Sequence, residues 1–215
     1  MSRKLLVWLH VVTSTGWMIM ALALFVVVGH ALAGRSWTFE VALLLDVEVL
    51  QFMATTSAFS GLLLSGLTPW GYFRHWWVAV KFAVTMSQLY AGIFVLSPNL
   101  HPDGSPGLMR VGSLLMFSAL ACQVWLSVAK PFGRTPWARG PKPRTAPPWA
   151  FAACLAVPAL DYALGELVLG GGAPVLSLLV VVVHPVVRAA RSRARGAVPA
   201  QRNPTQQNPG RRNPV

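Results

Sequence analysis

The sequence predicts an all-α protein, a polytopic transmembrane helical bundle with a four-helix core and a C-terminal helical hairpin. Of its 215 residues, 54% are hydrophobic and only 11% are charged. The mean hydropathy of +0.54 is too high for a chain whose whole surface faces water. The apolar residues gather in long runs, and lysine and arginine gather in alternate connections between them. These observations predict six spans, with both termini on the same side.

The predicted spans follow from length, because a helix needs about 20 apolar residues to cross about 30 Å of hydrocarbon. Five segments meet this requirement: Leu5–Val28, Val49–Leu67, Trp76–Leu96, Leu108–Ala129 and Trp149–Leu169. A sixth segment, Val175–Val187, reaches only about 20 Å at the helical rise of about 1.5 Å per residue. It therefore needs local bilayer thinning, burial against other helices or a re-entrant path.

The first segment also has features of a secretory signal peptide. Arg3 and Lys4 precede its apolar run, and Ala31-Leu32-Ala33 resembles a cleavage site. The run is longer than the apolar region of a signal peptide, which has about 7–15 residues. We therefore expect the segment to remain in the protein as its first span.

The spans divide the chain into four parts. Residues 1–130 form the predicted four-helix transmembrane core, and residues 131–148 form a basic, proline-rich cytoplasmic loop. Residues 149–187 form the predicted transmembrane hairpin. Residues 188–215 contain few apolar side chains and repeat Asn-Pro, which is typical of a disordered tail. The arginines of this tail are expected to attract anionic lipid.

The formal net charge of +12 would suggest nucleic-acid binding in a soluble protein. Here the basic residues lie before the first span, after the second, fourth and sixth spans, and in the tail, whereas the other side receives only Arg35 and Arg110. Under the positive-inside rule, both termini are cytoplasmic and the membrane is a bacterial cytoplasmic membrane. Four acidic residues fall on the outer side: Glu40, Asp46, Glu48 and Asp103. We expect the lipid bilayer, and not nucleic acid, as the partner.

Polar side chains within the first four spans share one depth. At the helical rise, His10 and Lys81 lie about 7–8 Å inside the cytoplasmic edge. Ser60 and Gln123 fall near the same level. Ionisable residues inside a membrane are costly, so each one is a candidate for function. Lysine can also reach the interface and histidine can bond to a neighbouring helix, so simple packing is the alternative.

One face of the first span carries His10, Ser14 and Trp17 at helical spacing. An imidazole at this position suits axial ligation of haem, although packing needs the same residue types. The predicted binding residues for haem b or another small ligand are His10, Ser14, Trp17, Lys81 and Gln123.

A second candidate site is a level of methionines near mid-membrane. Each of the first four spans supplies one thioether: Met18, Met53, Met86 and Met116. Soft sulfur ligands suit Cu(I), but methionine also fills gaps in packed helices. In the fifth span, Asp161 and Glu166 lie about 140° apart around the helix and do not form one bidentate face. A proton relay and exposure at the outer interface both remain open for this pair.

Two stretches carry a resemblance to known families: Leu5–Gly16 followed by Trp17, and Thr68–Lys81. They resemble a group of uncharacterised integral membrane proteins common in actinobacteria, which implies a four-helix membrane core without an established activity. The early histidine and tryptophan and the lysine of the third span are also similar to the HemJ-type protoporphyrinogen oxidases and the CopD-type copper-resistance proteins. That similarity implies haem, porphyrin or copper chemistry. His10 would be the haem ligand, and Lys81 would pair with a propionate or a substrate carboxylate.

The sequence has no P-loop, dinucleotide fingerprint, zinc-protease motif, hydrolase elbow or Cys-His zinc spacing. We therefore favour a protein that is not an enzyme. Three functions remain: a membrane protein that binds haem or another small ligand, a transporter or copper-handling protein, and a structural or assembly subunit of a membrane complex.

Overall fold

The structure, a computed structural model, describes residues 1–100, 103–136, 138, 145–165, 167, 176, 177, 179, 180, 183 and 187. Across these residues the regular structure is helical, apart from one isolated antiparallel bridge between His75 and Arg134. The prediction of an all-helical chain is confirmed for this part of the protein.

The helices in chain order are α1 (Ser2–Leu32), α2 (Thr38–Leu44), α3 (Gln51–Leu67), α4 (Trp76–Ala91), α5 (Pro106–Ala129) and α6 (Pro148–Leu164). A first π segment, Leu45–Leu50, joins α2 to α3 without a break. A second π segment, Gly92–Leu96, continues α4 and leads into the short 3-10 turn Ser97–Asn99.

Four continuous helices are long and apolar enough to cross a membrane: Ser2–Leu32, Thr38–Leu67, Trp76–Asn99 and Pro106–Ala129. By the length and composition of these helices, the described part of the chain is therefore that of a helical membrane protein, as predicted. We call the end of these helices that carries Ser2, Leu67, Trp76 and Ala129 the inner end. The opposite end is the outer end.

The second of these helices differs most from its predicted bounds, because it begins at Thr38 and not at Val49. The acidic residues Asp46 and Glu48 lower the hydropathy of this stretch and make it look like a loop. In the structure both belong to the first π segment. Glu48 is exposed, whereas Asp46 is buried and accepts a hydrogen bond from Ser97. A helix can therefore include the acid without leaving it unpaired in hydrocarbon.

The four long helices form a ring in the order α1, α3, α4, α5. On α1 the buried residues recur every three or four positions, from Thr13 through Trp17 and Ala21 to Val28, and this stripe faces α3 and α5. Many other large apolar side chains of these helices are exposed, as expected for lipid-facing positions. Contacts of α1 with α3 and α5 are extensive, whereas α1 and α4 lack such contact. Helix α4, which lies opposite α1 in the ring, is thus held mainly by its contacts with α3 and α5.

At the inner end, the predicted proline-rich loop is partly docked on the turn between α3 and α4. The Thr135 amide donates to the Arg74 carbonyl oxygen at 3.1 Å, and the Thr135 hydroxyl donates to the Phe73 carbonyl oxygen at 2.6 Å. The Ala146 amide donates to the Leu67 carbonyl oxygen at the end of α3, at 2.9 Å. These three hydrogen bonds fasten the loop to the core at both of its described ends.

Helix α6 packs on α1 and α3. Asp161 is buried, and its carboxylate accepts the backbone N–H groups of Leu176 at 2.8 Å and Ser177 at 2.6 Å. This carboxylate therefore caps a backbone segment and is not exposed at the outer interface, whereas a proton relay stays a prediction. Glu166, much of the predicted sixth span and the tail lie outside the described residues.

Candidate functional site

A cavity of about 480 Å³ lies in the inner half of the core, lined by residues of α1, α3, α4, α5 and the turn between α3 and α4. Its volume falls within the range of small-molecule sites, about 300–1,000 Å³. The lining is mostly apolar, and it includes all five predicted binding residues: His10, Ser14, Trp17, Lys81 and Gln123. The structure thus brings together side chains from three different spans, as the common depth of His10, Lys81 and Gln123 predicts. Ser60, the fourth member of the predicted layer, is fully buried behind His10 and does not line the cavity.

His10 is fixed against α3 by its Nδ1 atom. This nitrogen lies 3.1 Å from the Ser57 carbonyl oxygen and 3.2 Å from the Ser60 hydroxyl oxygen. A carbonyl can only accept, and the Ser60 hydroxyl already donates to the Thr56 carbonyl oxygen at 2.7 Å, so Nδ1 carries the proton. In a neutral ring, the lone pair is then on Nε2. Nε2 has no hydrogen-bonding partner among the described residues, so it is the nitrogen available to a ligand.

Gly61 makes the position of His10 possible. A Cβ atom at residue 61 would lie 2.7 Å from Cε1 and 3.2 Å from Nδ1 of His10, closer than side chains normally approach. The missing side chain lets the imidazole lie flush against the α3 backbone. The combination of a bonded Nδ1 and an accessible Nε2 is the arrangement by which proteins orient histidine ligands of metals and haem.

Lys81 reaches the cavity from α4. Its Nζ atom donates to the Ser127 hydroxyl oxygen at 2.6 Å, and that hydroxyl donates to the Gln123 backbone carbonyl oxygen at 2.9 Å. These are neutral partners, and no ion pair of Lys81 occurs in the part of the chain that the structure describes. A cation held inside a membrane without an acidic partner is costly, and the cost falls when an anion binds beside it.

Gln123 takes part in a network between α4 and α5. Its Nε2 donates to Oε1 of Gln88 at 2.6 Å, and its Oε1 accepts from the Thr85 hydroxyl at 2.9 Å. The Gln88 Nε2 in turn donates to the Met116 carbonyl oxygen at 3.0 Å. Because the side-chain amide of Gln123 already has partners on both of its atoms, this residue joins the helices and forms the wall of the cavity.

Ser14 and Trp17 line the cavity without offering free donors to it. The Ser14 hydroxyl donates to the His10 carbonyl oxygen one turn earlier on α1. The Trp17 indole N–H donates to the Met116 sulfur at 3.3 Å. Ser14 is therefore bonded within its own helix, and Trp17 closes the outer end of the cavity with its apolar ring.

The sequence-based prediction missed several lining residues that carry hydrogen bonds. Ser57 holds His10, Ser127 holds Lys81, and Thr85 holds Gln123. Thr85 follows Lys81 by four residues, and Ser127 follows Gln123 by the same spacing, so both share a helix face with a predicted residue. That spacing was the available signal. The contribution of Gly61 has no such signal, because it depends on which helix lies opposite His10.

The charge in the cavity has one sign. Arg3 and Lys81 both line it, and no acidic side chain is among the described residues around it. Aromatic rings surround its inner end, where Trp70 and Trp77 contact each other edge to face with centroids 5.5 Å apart. An apolar cavity with a basic inner part suits a ligand that combines an apolar body with an anionic group.

The methionine level is part of the packed core. Met116 is buried, and Met18, Met53 and Met86 pack against the same apolar cluster. The Met53 sulfur lies against Gly16, where a Cβ would be 3.0 Å away. Within the described residues, no group of three or more His, Cys, Asp or Glu side chains is placed to hold a metal ion. Copper binding at the methionines remains a prediction.

No protein-family model, curated protein or solved structure matches this chain. The resemblances to the actinobacterial group and to the HemJ-type and CopD-type families therefore also remain predictions.

Proposed function

We propose that this protein binds a small amphipathic anion in its inner cavity, with haem b as the candidate that uses both His10 and Lys81. The observation that carries the proposal is that His10 and Lys81 line one largely apolar cavity in which the described chain places no acidic side chain. Nε2 of His10 would ligate the haem iron, and Lys81 would pair with a propionate. Such a cofactor would supply redox or ligand-sensing chemistry, and the chain itself would hold and orient it.

The haem proposal is tested with the full-length chain in phospholipid nanodiscs, titrated with haemin. We expect a saturable Soret band that His10→Ala removes, because Nε2 is the axial ligand. His30→Ala is the matched control, since His30 is an exposed histidine at the other end of the same helix. A Soret band of equal strength in the His10→Ala protein would overturn the assignment of this ligand.

The Lys81→Gln variant distinguishes haem from an anionic amphiphile that contains no iron, such as a fatty acid. Lipids and fatty acids retained by the purified protein are extracted and identified by mass spectrometry. If the ligand is such an anion, Lys81→Gln is expected to lower its retention about tenfold, whereas His10→Ala leaves most of it. Lys4→Gln, at an exposed position of α1, is the control for loss of charge alone. Equal retention in wild type and Lys81→Gln would contradict an anionic ligand.

We also propose the finer topology: six spans in a bacterial cytoplasmic membrane, both termini in the cytoplasm and anionic lipid bound at the basic tail. The one-sided distribution of lysine and arginine supports it. The capping of Leu176 and Ser177 by Asp161 is consistent with a chain that turns back beside α6. A reporter enzyme that works only in the cytoplasm is expected to be active when it is fused after Val215. Activity of an exclusively periplasmic reporter at this position would contradict the topology.

A further inference from the structure

A second, much smaller cavity of about 30 Å³ lies on the outer side of Trp17. Its polar lining residues are Asp46, Gln51, Thr55, Gln88 and Ser97. On this measure a water molecule needs roughly 10–15 Å³. The space therefore fits one or two water-sized particles, and nothing as large as an organic ligand.

Asp46 is the ionisable residue of this cavity. It is only 7% exposed, and its Oδ2 atom accepts a hydrogen bond from the Ser97 hydroxyl at 2.6 Å. Its Oδ1 atom has no hydrogen-bonding partner among the described residues. Asp161, the other buried carboxylate of the described chain, differs because both of its oxygens accept backbone N–H groups. The Oδ1 atom of Asp46 is therefore available to a ligand that binds in the cavity.

The two π segments border the same cavity. Asp46 and Leu50 come from the first, Gly92 and Ile93 come from the second, and Ser97 follows directly after the second. π-helical turns within α-helices frequently mark functional sites. In membrane transporters, irregular helical backbone supplies carbonyl oxygens to bound cations. Two irregular segments border one cavity, and one of them carries the buried carboxylate, which is therefore an independent indication of a cation site.

Two of the other polar groups are hydroxyl oxygens, hard ligands whose protons already have acceptors. The Ser97 hydroxyl donates to Asp46, and the Thr55 hydroxyl donates to the Gln51 carbonyl oxygen at 2.7 Å. Their lone pairs remain available to a cation. The Met116 sulfur also borders the cavity, but it already accepts the Trp17 indole N–H. This donor set suits a hard cation and not Cu(I).

We propose that the Asp46 cavity is a binding site for one monovalent alkali cation, Na⁺ or K⁺. A single carboxylate balances one positive charge, whereas a divalent ion would leave a net charge buried among apolar helices. The site lies toward the outer end of its helix, about 30 Å above Leu67 at the helical rise. Its cation would therefore come from the outer side. This proposal is independent of the ligand in the inner cavity.

The test uses the full-length chain in nanodiscs made of a zwitterionic lipid. The midpoint of thermal unfolding is measured against NaCl or KCl at constant ionic strength, with N-methylglucamine chloride as the replacement salt. We expect a saturable rise of a few degrees with Na⁺ or K⁺, because a ligand that binds only the folded state stabilises it. Asp46→Asn keeps an acceptor for Ser97 and is expected to abolish the rise. Glu48→Gln removes an exposed acid from the same π segment and is expected to retain it.

Thr55→Val provides a second variant that leaves the carboxylate in place. It removes one oxygen and is expected to raise the cation concentration at half-maximal stabilisation more than threefold. This variant decides the matter if Asp46→Asn does not fold. The proposal is overturned if wild type responds equally to alkali and organic cations, if Mg²⁺ or Ca²⁺ gives the larger saturable rise, or if both variants respond like wild type. Stabilisation that depends on pH alone, without an alkali-cation effect, would mean that Asp46 binds only a proton.

Discussion

The inner and outer halves of the four-helix core contain cavities of opposite character. The inner cavity is large and basic, with His10 and Lys81 on walls that are otherwise mostly apolar. The outer cavity is small, has a carboxylate and is bordered by two π segments. Trp17 and the Gln88–Gln123 pair separate them. The same four helices thus carry the proposed anion site at the inner end and the proposed cation site toward the outer end.

The largest effect on ligand binding is expected from a substitution that adds a side chain to the inner cavity and leaves the outer cavity unchanged. Gly61→Val places methyl groups where His10 now lies. Overpacking typically costs about 1–3 kcal/mol, and about 1.4 kcal/mol corresponds to tenfold in affinity. We therefore expect roughly a hundredfold loss of affinity for the inner ligand, measured by titration in nanodiscs.

The control for this change is Gly107→Val, because a Cβ at residue 107 meets no atom within 4 Å. The cation response of the outer cavity should be the same in both variants. If Gly61→Val abolished that response as well, the two halves would not be separate sites.

A smaller effect is expected when a residue of the partition, meaning Trp17 and the Gln88–Gln123 pair between the cavities, is replaced. Gln88→Leu leaves the Gln123 amide without its partner, which we expect to destabilise the fold by about 1–2 kcal/mol. The double variant Gln88→Leu/Gln123→Leu should lose less than the sum of the two single variants, since no amide is then left unpaired. Unfolding in mixed detergent micelles measures both. Strict additivity would show that the pair does not couple α4 to α5.

Trp17→Phe tests the partition more gently. It removes the indole N–H donated to Met116 and leaves an aromatic ring between the cavities. Because sulfur is a weak acceptor, we expect a loss of about 0.5 kcal/mol in unfolding free energy. A loss several times larger would mean that the ring shape, and not the hydrogen bond, closes the inner cavity.

The smallest effect is expected for Ser14→Ala. The Ser14 hydroxyl lines the inner cavity but is bonded to the His10 carbonyl oxygen within α1. Its removal should change ligand affinity less than twofold in the same titration. A tenfold change would show that the hydroxyl turns away from its own helix and contacts the ligand.

Helical depth was sufficient to bring His10, Lys81 and Gln123 to one level, because residues at equal rise from a common membrane edge meet when helices run nearly parallel. The same reasoning could not find Gln88 or Gly61, whose contributions depend on which helices are neighbours. The second span was predicted to begin too late, at Val49, because Asp46 and Glu48 interrupt the apolar run. No periodic pattern in the sequence predicts the two π segments. They can be recognised only from the backbone structure. The same is true of the hydrogen bond between Asp46 and Ser97.

The indole of Trp17 borders both cavities, so it is the side chain through which the two proposed sites would be coupled. An inner ligand that moved this ring would change the affinity of the outer site for its cation. Thermodynamic linkage then requires the cation to change the ligand's affinity by the same factor. If both proposed sites are occupied, this one side chain would let conditions on one side of the bilayer regulate binding on the other.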